Sequence, residues 1–155
     1  MQVRDIMTPD PVYCTRQTSL TDVARMMVTH DCGIVPVVEN TDTMKLVGVV
    51  TDRDMVCRTL ARGRDPITLA AGDVMSSPVV TVFPETSVEE CAETMGQNQV
   101  RRVPVLDHDG ICCGMVSQAD LALHAPEEET AEVVKDVSQP TTAASSLNTP
   151  AAALH

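Results

Sequence analysis

The chain has 155 residues, 43% of them hydrophobic and 21% charged, the balance of a globular protein with one or two small domains, and it contains no apolar run near the roughly 18 residues that span a bilayer. Its net charge of −11, from eleven basic and twenty-two acidic side chains, repels phosphate backbones and anionic lipid surfaces. Tyr13 and Phe83 are too few aromatic side chains for the stacking platforms of single-strand binders, so no nucleic-acid or membrane partner is expected, and any bound nucleobase must rest on aliphatic side chains.

The start, Met1-Gln2-Val3-Arg4-Asp5, lacks the basic-then-apolar pattern of a secretory signal, and a cytoplasmic location is the expectation. A short strand is expected near Pro11-Val12. Leu20, Val23, Ala24, Met27 and Val28 fall at i, i+3, i+4, i+7 and i+8, the stripe of a helix with one buried face. Ser19 and Asp22 place a hydroxyl three residues before a carboxylate at its start, and Gly33 offers a stop. Ile34 to Val38 and Leu46 to Val50 are β-branched runs that read as paired strands, followed by a helical segment at about Asp52 to Arg62.

The pattern then starts again. Asp5-Ile6-Met7 recurs as Asp73-Val74-Met75, Thr18-Ser19-Leu20 as Thr86-Ser87-Val88, and Val35-Pro36-Val37 as Val103-Pro104-Val105, most pairs lying 68 residues apart. Val88, Cys91, Ala92 and Met95 repeat the helical stripe, Val103 to Leu106 and Ile111 to Val116 repeat the strands, and Gln118 to His124 repeats the last helix. Residues 1–62 form the first unit, 63–71 a connector with Gly63 and Pro66, and 72–125 the second unit. Each is too small to bury both faces of its sheet alone, so the two must pack together. Residues 126–155, acidic and then rich in Ser, Thr, Ala and Pro, have little to bury and are expected to be mobile.

The six cysteines form no C-x-x-C pair, and most sit in apolar stretches, which predicts buried reduced thiols. The vicinal pair Cys112-Cys113, with Cys14, leaves a thiol or redox sensor as a lesser alternative. His30-Asp31-Cys32 has no tetrahedral partner set, so no metal site is expected. No nucleophile with a base and no Gly-rich phosphate loop can be assembled either, which argues against an enzyme.

Gly48-Val49-Val50-Thr51-Asp52-Arg53-Asp54 and Gly114-Met115-Val116-Ser117-Gln118-Ala119-Asp120 end the second strand of each unit alike. A carboxylate can accept two hydrogen bonds from a vicinal diol, and a hydroxyl at a helix start sits beside free amides that favour an anion, so each corner suits a nucleoside phosphate. The competing reading is that Thr51 with Asp54 and Ser117 with Asp120 only cap helices, for about 1 kcal/mol each.

These residues, together with Val35-Pro36-Val37-Val38 and Val103-Pro104-Val105-Leu106, resemble the G-h-h-[ST]-x-x-[DN] and h-P-V-h patterns of the cystathionine β-synthase-type (CBS) domain family, over about residues 1 to 125. The resemblance is to small stand-alone tandem pairs of bacteria. It implies an α+β fold of two β-α-β-β-α repeats packed through their sheets, a homodimer, and clefts that take AMP, ADP, ATP, NAD or S-adenosylmethionine as a regulatory ligand, with no obligatory cofactor. By the same resemblance Asp54 and Asp120 hold ribose hydroxyls, Thr51 and Ser117 meet a phosphate, and Arg101 or Arg102 reaches phosphates, while Arg53, in a cluster with Arg58, Arg62 and Arg64, is a further ligand-binding candidate. Gly33-Ile34 stands where the second repeat has Arg101-Arg102, so the two sites are expected to differ. A ligand-free dimerisation scaffold is the main alternative, and the sequence names no downstream partner.

Overall fold

The computed structural model describes residues 1–124 and 134–138. The expected fate of the remainder of the 126–155 tail lies outside the described residues. In chain order the elements are α1 Val3–Ile6, β1 Thr8–Pro9, β2 Cys14–Thr15, α2 Leu20–His30, β3 Ile34–Val38, β4 Leu46–Thr51, α3 Asp52–Cys57, α4 Ala71–Val74, α5 Val88–Asn98, β5 Arg102–Leu106, β6 Cys112–Ser117 and α6 Gln118–His124. Single 3-10 turns at Leu60–Arg62 and Pro66–Thr68 carry the connector.

Ser19 and Ser87 cap α2 and α5, accepting the backbone N–H of Asp22 and Glu90 at 3.1 Å each. Both helices end on a left-handed residue, Asp31 (φ 48°) and Gln99 (φ 53°). The expected stop at Gly33 is therefore corrected: Asp31, a residue type that tolerates the left-handed region, ends α2 two positions earlier. The helix expected over Asp52 to Arg62 is likewise shorter, closing at Cys57 before the 3-10 turn.

Two three-stranded sheets result, ordered β2-β3-β4 and β1-β6-β5. The second contains β1 from the first sequence unit: Thr8 and Pro9 pair antiparallel with Met115 and Gly114. Ser76 returns the exchange by bridging Val49 on β4. The helical turns follow suit. Val3 N–H donates to the Thr86 carbonyl at 2.9 Å and Val88 N–H to that of Met1 at 3.1 Å, while Ala71 N–H donates to Thr18 at 2.8 Å and Leu20 N–H to Leu69 at 3.0 Å. Each repeat thus lends its first residues to the other.

The cores record the same exchange. Val3 and Ile6 are buried with Val88, Met95, Val103 and Leu121, whereas Ala71 and Val74 are buried with Leu20, Val23, Val35 and Val50. Neither repeat can complete its core without residues from its neighbour, which fixes the pair as one unit.

This packing gives the signature glycines a reason. A Cβ on Gly48 would lie 2.8 Å from Met75 Sδ and 3.0 Å from the Ser76 carbonyl, and one on Gly114 would lie 2.5 Å from Met7 Sδ and 3.2 Å from the Thr8 carbonyl. The exchanged strand and its methionine need the space that a side chain would fill.

All six cysteines are free, with Cys14 and Cys91 fully in the cores. Burial lifts the thiols of Cys14, Cys91 and Cys112 from 9.0 to about 11. Thiolates are scarce at neutral pH in consequence, which weighs against a redox sensor built on Cys14 or on the Cys112 thiol. Because the unfolded chain loses these protons near pH 9 while the native state keeps them to about pH 11, native stability is complete below pH 9 and falls as pH rises through that window. Thermal melts by circular dichroism should show the midpoint dropping between pH 9 and 11, and replacing Cys91 by Ser should make that drop shallower.

Candidate functional site

At the end of β4 the Thr51 hydroxyl accepts the Asp54 N–H at 3.0 Å, and Asp54 Oδ2 accepts the Thr51 N–H at 3.1 Å. At the end of β6 the Asp120 N–H donates to Ser117 Oγ at 3.2 Å, and Asp120 Oδ2 accepts the Ser117 N–H and hydroxyl at 2.7 Å each. Both corners are genuine helix caps. They differ in what remains of the carboxylate.

Asp54 is already enclosed. The Ser76 hydroxyl lies 3.4 and 3.3 Å from its two oxygens, and Arg58 Nε lies 3.8 Å from Oδ1, leaving the side chain 14% exposed. Arg58 is itself held by Nη1, which donates to the Val74 and Met75 carbonyls at 2.8 Å each. His124 stands in the place of Arg58 in the second repeat, and its Nδ1 lies 3.0 Å from the Asp120 backbone oxygen, away from the carboxylate. Among the described residues Asp120 Oδ1 therefore takes no hydrogen bond or ion pair, and its lone pairs are available.

Asp120 lines a cleft of about 430 Å³ between the repeats. Ser117, Met115 and Arg102 come from the second repeat, Asp31, Cys32 and Ile34 from the first, and Thr8 to Val12 from the exchanged segment. Asp10 and Asp31 both sit at positive φ, 48° each, where β1 and α2 end, and these two turns bring their loops to the cleft. Gly33 has a packing role here: a Cβ would meet Asp52 Oδ2 at 3.0 Å and Arg102 Nη1 at 3.1 Å, so a larger residue would make both side-chain ends shift. The Arg102 charge favours the thiolate of Cys32, but desolvation outweighs it and the thiol is pushed up.

Of the residues singled out in the sequence, Ser117, Asp120 and Arg102 share this cleft. Thr51 and Asp54 form the other corner. Arg101 is exposed and does not line the cleft; its carbonyl accepts the Gln118 N–H at 2.9 Å. Arg53 is exposed too, its N–H donating to Asp52 Oδ1 at 2.8 Å. Sequence reasoning passed over Asp10 and the aliphatic wall of Val12, Ile34 and Met115, and weighed Asp31 only as a metal ligand. The aspartates had a faint signal, since Asp before Pro and Asp after an apolar stripe both mark turns. No three His, Cys, Asp or Glu residues among those described converge to hold a metal ion, and no described helix is long and apolar enough to cross a membrane.

Two βαββα repeats that trade their first strands around a shared cleft define a tandem CBS pair, and the chain belongs to the CBS domain family, whose pattern matches residues 3–58 and 71–127. CBS-pair proteins are generally regulatory and not catalytic. Among relatives, the chain is 37% identical to Hypoxic response protein 1 of Mycobacterium tuberculosis over 142 residues, covering 92% of this chain and 97% of that protein. The crystal structure of Hypoxic Response Protein I with two coordinated zinc ions is similar with a TM-score of 0.72 at 36% identity, over 81% of this chain and 100% of the other. The crystal structure of CBSX2 in complex with AMP is similar with a TM-score of 0.69 at 28% identity, over 80% of this chain and 95% of the other.

Proposed function

We propose that this chain is a regulatory module that binds an adenine nucleotide in the Asp120 cleft and transmits its presence through the conformation or the dimer surface of the pair. The observation that carries this reading is the convergence of three groups on one cleft: a carboxylate with an untaken oxygen, Ser117 at a helix start, and Arg102. Asp120 suits a ribose diol, Arg102 a phosphate, and Val12, Ile34 and Met115 the face of a base. The volume of about 430 Å³ lies within the range of small-molecule sites. The AMP complex of CBSX2 supports the ligand class.

The charge of the cleft refines the choice. Among the described residues Arg102 is its one permanent cation, and Asp10 and Asp31 join Asp120 on its walls. Three phosphates would meet more negative than positive charge, so a monophosphate is favoured over ATP. Arg101 adds little, being outside the lining. Asp54 is held by Arg58 and Ser76, so a ligand there must first displace both. A homodimer is the proposed working assembly, and its downstream partner is a protein that reads the change.

Thermal shift on nucleotide-free protein tests the reading. A ligand bound only by the native state stabilises it by RT ln(1 + [L]/Kd), about 2.7 kcal/mol at a hundredfold excess over Kd. AMP should raise the midpoint by several degrees, ATP and NAD less, guanine and pyrimidine nucleotides little. An unchanged midpoint with every adenine ligand, S-adenosylmethionine included, at millimolar concentration would leave the ligand-free scaffold as the better account.

A further inference from the structure

The two helix corners share a hydroxyl and a carboxylate, and they part at the residue one turn later. Arg58 stands there at the end of α3, where the second repeat has His124. The Arg58 guanidinium is engaged on two sides. Its Nη1 donates at 2.8 Å each to the carbonyls of Val74 and Met75, which the end of α4 leaves without partners inside the helix, and its Nε lies 3.8 Å from Asp54 Oδ1. One side chain therefore ties the exchanged segment to the carboxylate of the first corner.

Those contacts occupy what a ribose would need. Asp54 Oδ2 accepts the Thr51 N–H at 3.1 Å and faces the Ser76 hydroxyl at 3.3 Å, while Oδ1 faces the same hydroxyl at 3.4 Å and Arg58 beyond it. Asp120 has no such cover on Oδ1 among the described residues. Neither neighbour of Asp54 yields easily. Ser76 is fixed by its backbone, which exchanges hydrogen bonds with Val49 at 2.8 and 3.1 Å. Moving Arg58 would strip two charge-assisted hydrogen bonds from Val74, which is buried in the first core, and from Met75, which packs against it. An entering diol restores only the bonds at Asp54.

We propose that Arg58 is the built-in occupant of the first corner: it keeps Asp54 closed to ribose, so that the chain takes a single nucleotide, at Asp120, and the first repeat serves as the fixed half against which the second responds. This rests on the nucleotide reading of the Asp120 cleft. It follows that the first corner can be opened. Removing the guanidinium while sparing Asp54, Thr51 and Ser76 should create a second ribose site in the same chain.

Adenosine presents the diol without a phosphate, so calorimetric titration of adenosine into the nucleotide-free full chain counts the open corners. The wild type should take one per chain. Arg58→Gln keeps an amide donor for the carbonyls and loses the charge beside Asp54; it should take two, the first corner gaining roughly ten- to hundredfold in affinity. In an Asp120→Asn chain, which should bind adenosine poorly, adding Arg58→Gln should restore one site, and adding Asp54→Ala to that pair should abolish it. Should Arg58→Gln fail to fold, Arg58→Lys replaces it, since the ammonium can still meet the carbonyls but brings no Nε to Asp54. Two equal sites in the wild type, a single site in the Arg58 variant, or a restored site that survives Asp54→Ala would each overturn the proposal. A wild type that takes no adenosine sinks the nucleotide reading of the Asp120 cleft instead; an Arg58 variant that then gains one site through Asp54 still supports the closed corner, and one that gains none overturns it.

Discussion

Replacing Met95 by Ala should cost about 2–5 kcal/mol of unfolding free energy, whereas the same change at Met27, its counterpart in the first repeat, should cost about 1 kcal/mol. The two residues occupy equivalent places on α5 and α2, yet Met95 is fully buried and Met27 is only half-buried. Met95 is fully buried in the core that gathers Val3 and Ile6 from the exchanged segment and Val137 from the tail, so removing its side chain opens a cavity in a close-packed interior. Met27 packs against the edge of the first core and keeps part of its side chain in water, so its removal leaves a smaller void. Urea denaturation would measure both. Equal losses would mean that residues 134–138 do not add to the second core, and that the difference in burial between the repeats carries no energy.

Much of this architecture was legible in the residues because it repeats a local pattern. The stripe from Leu20 to Val28 and the run from Ile34 to Val38 specify helix and strand by period alone, and both formed where the pattern placed them. The exchange of first strands was not legible. Thr8 and Pro9 form a two-residue, exposed strand with no apolar alternation, and their pairing with Met115 and Gly114 depends on a partner more than a hundred residues away. The signature glycines illustrate a further limit. Their recurrence at Gly48 and Gly114 resembles a ligand motif, but their nearest neighbours are Met75 and Met7, so packing accounts for them. The end of α2 was misplaced because glycine is the commoner left-handed residue, whereas Asp31 takes that conformation here and Gly33 serves the close approach of Arg102. Most of the candidate site lies in loops, where Asp10 and Asp31 have no periodicity to announce them. The strand ends that carry Ser117 and Asp120 do have it.

Asp120→Ala should weaken AMP binding roughly ten- to hundredfold, and Asp54→Ala should leave the affinity of the Asp120 cleft nearly unchanged while lowering stability. The first change removes a charged acceptor from the ribose hydroxyls, and hydrogen bonds to a charged group are worth about 1.5–3 kcal/mol. It also removes the reciprocal half of the cap on α6, the carboxylate that accepts the Ser117 N–H, for about 1 kcal/mol of stability. Asp120→Asn separates the two effects, because the amide oxygen can still accept the Ser117 N–H that Asp120 Oδ2 accepts at 2.7 Å, yet it carries no charge for the diol. That variant should melt close to the wild type and still bind AMP poorly. Asp54→Ala instead frees Arg58, whose Nε lies 3.8 Å from the carboxylate, and deprives the Ser76 hydroxyl of its acceptor. Its loss is one of fold, at the corner where the exchanged segment meets β4. Arg102→Ala belongs in the same series: with the cleft's one permanent cation among the described residues gone, AMP should bind less tightly and adenosine about as before. Calorimetry on the four variants gives the affinities and denaturation gives the stabilities. Should Asp120→Asn bind AMP as the wild type does, the carboxylate is a helix cap and nothing more, and the ribose must be held elsewhere.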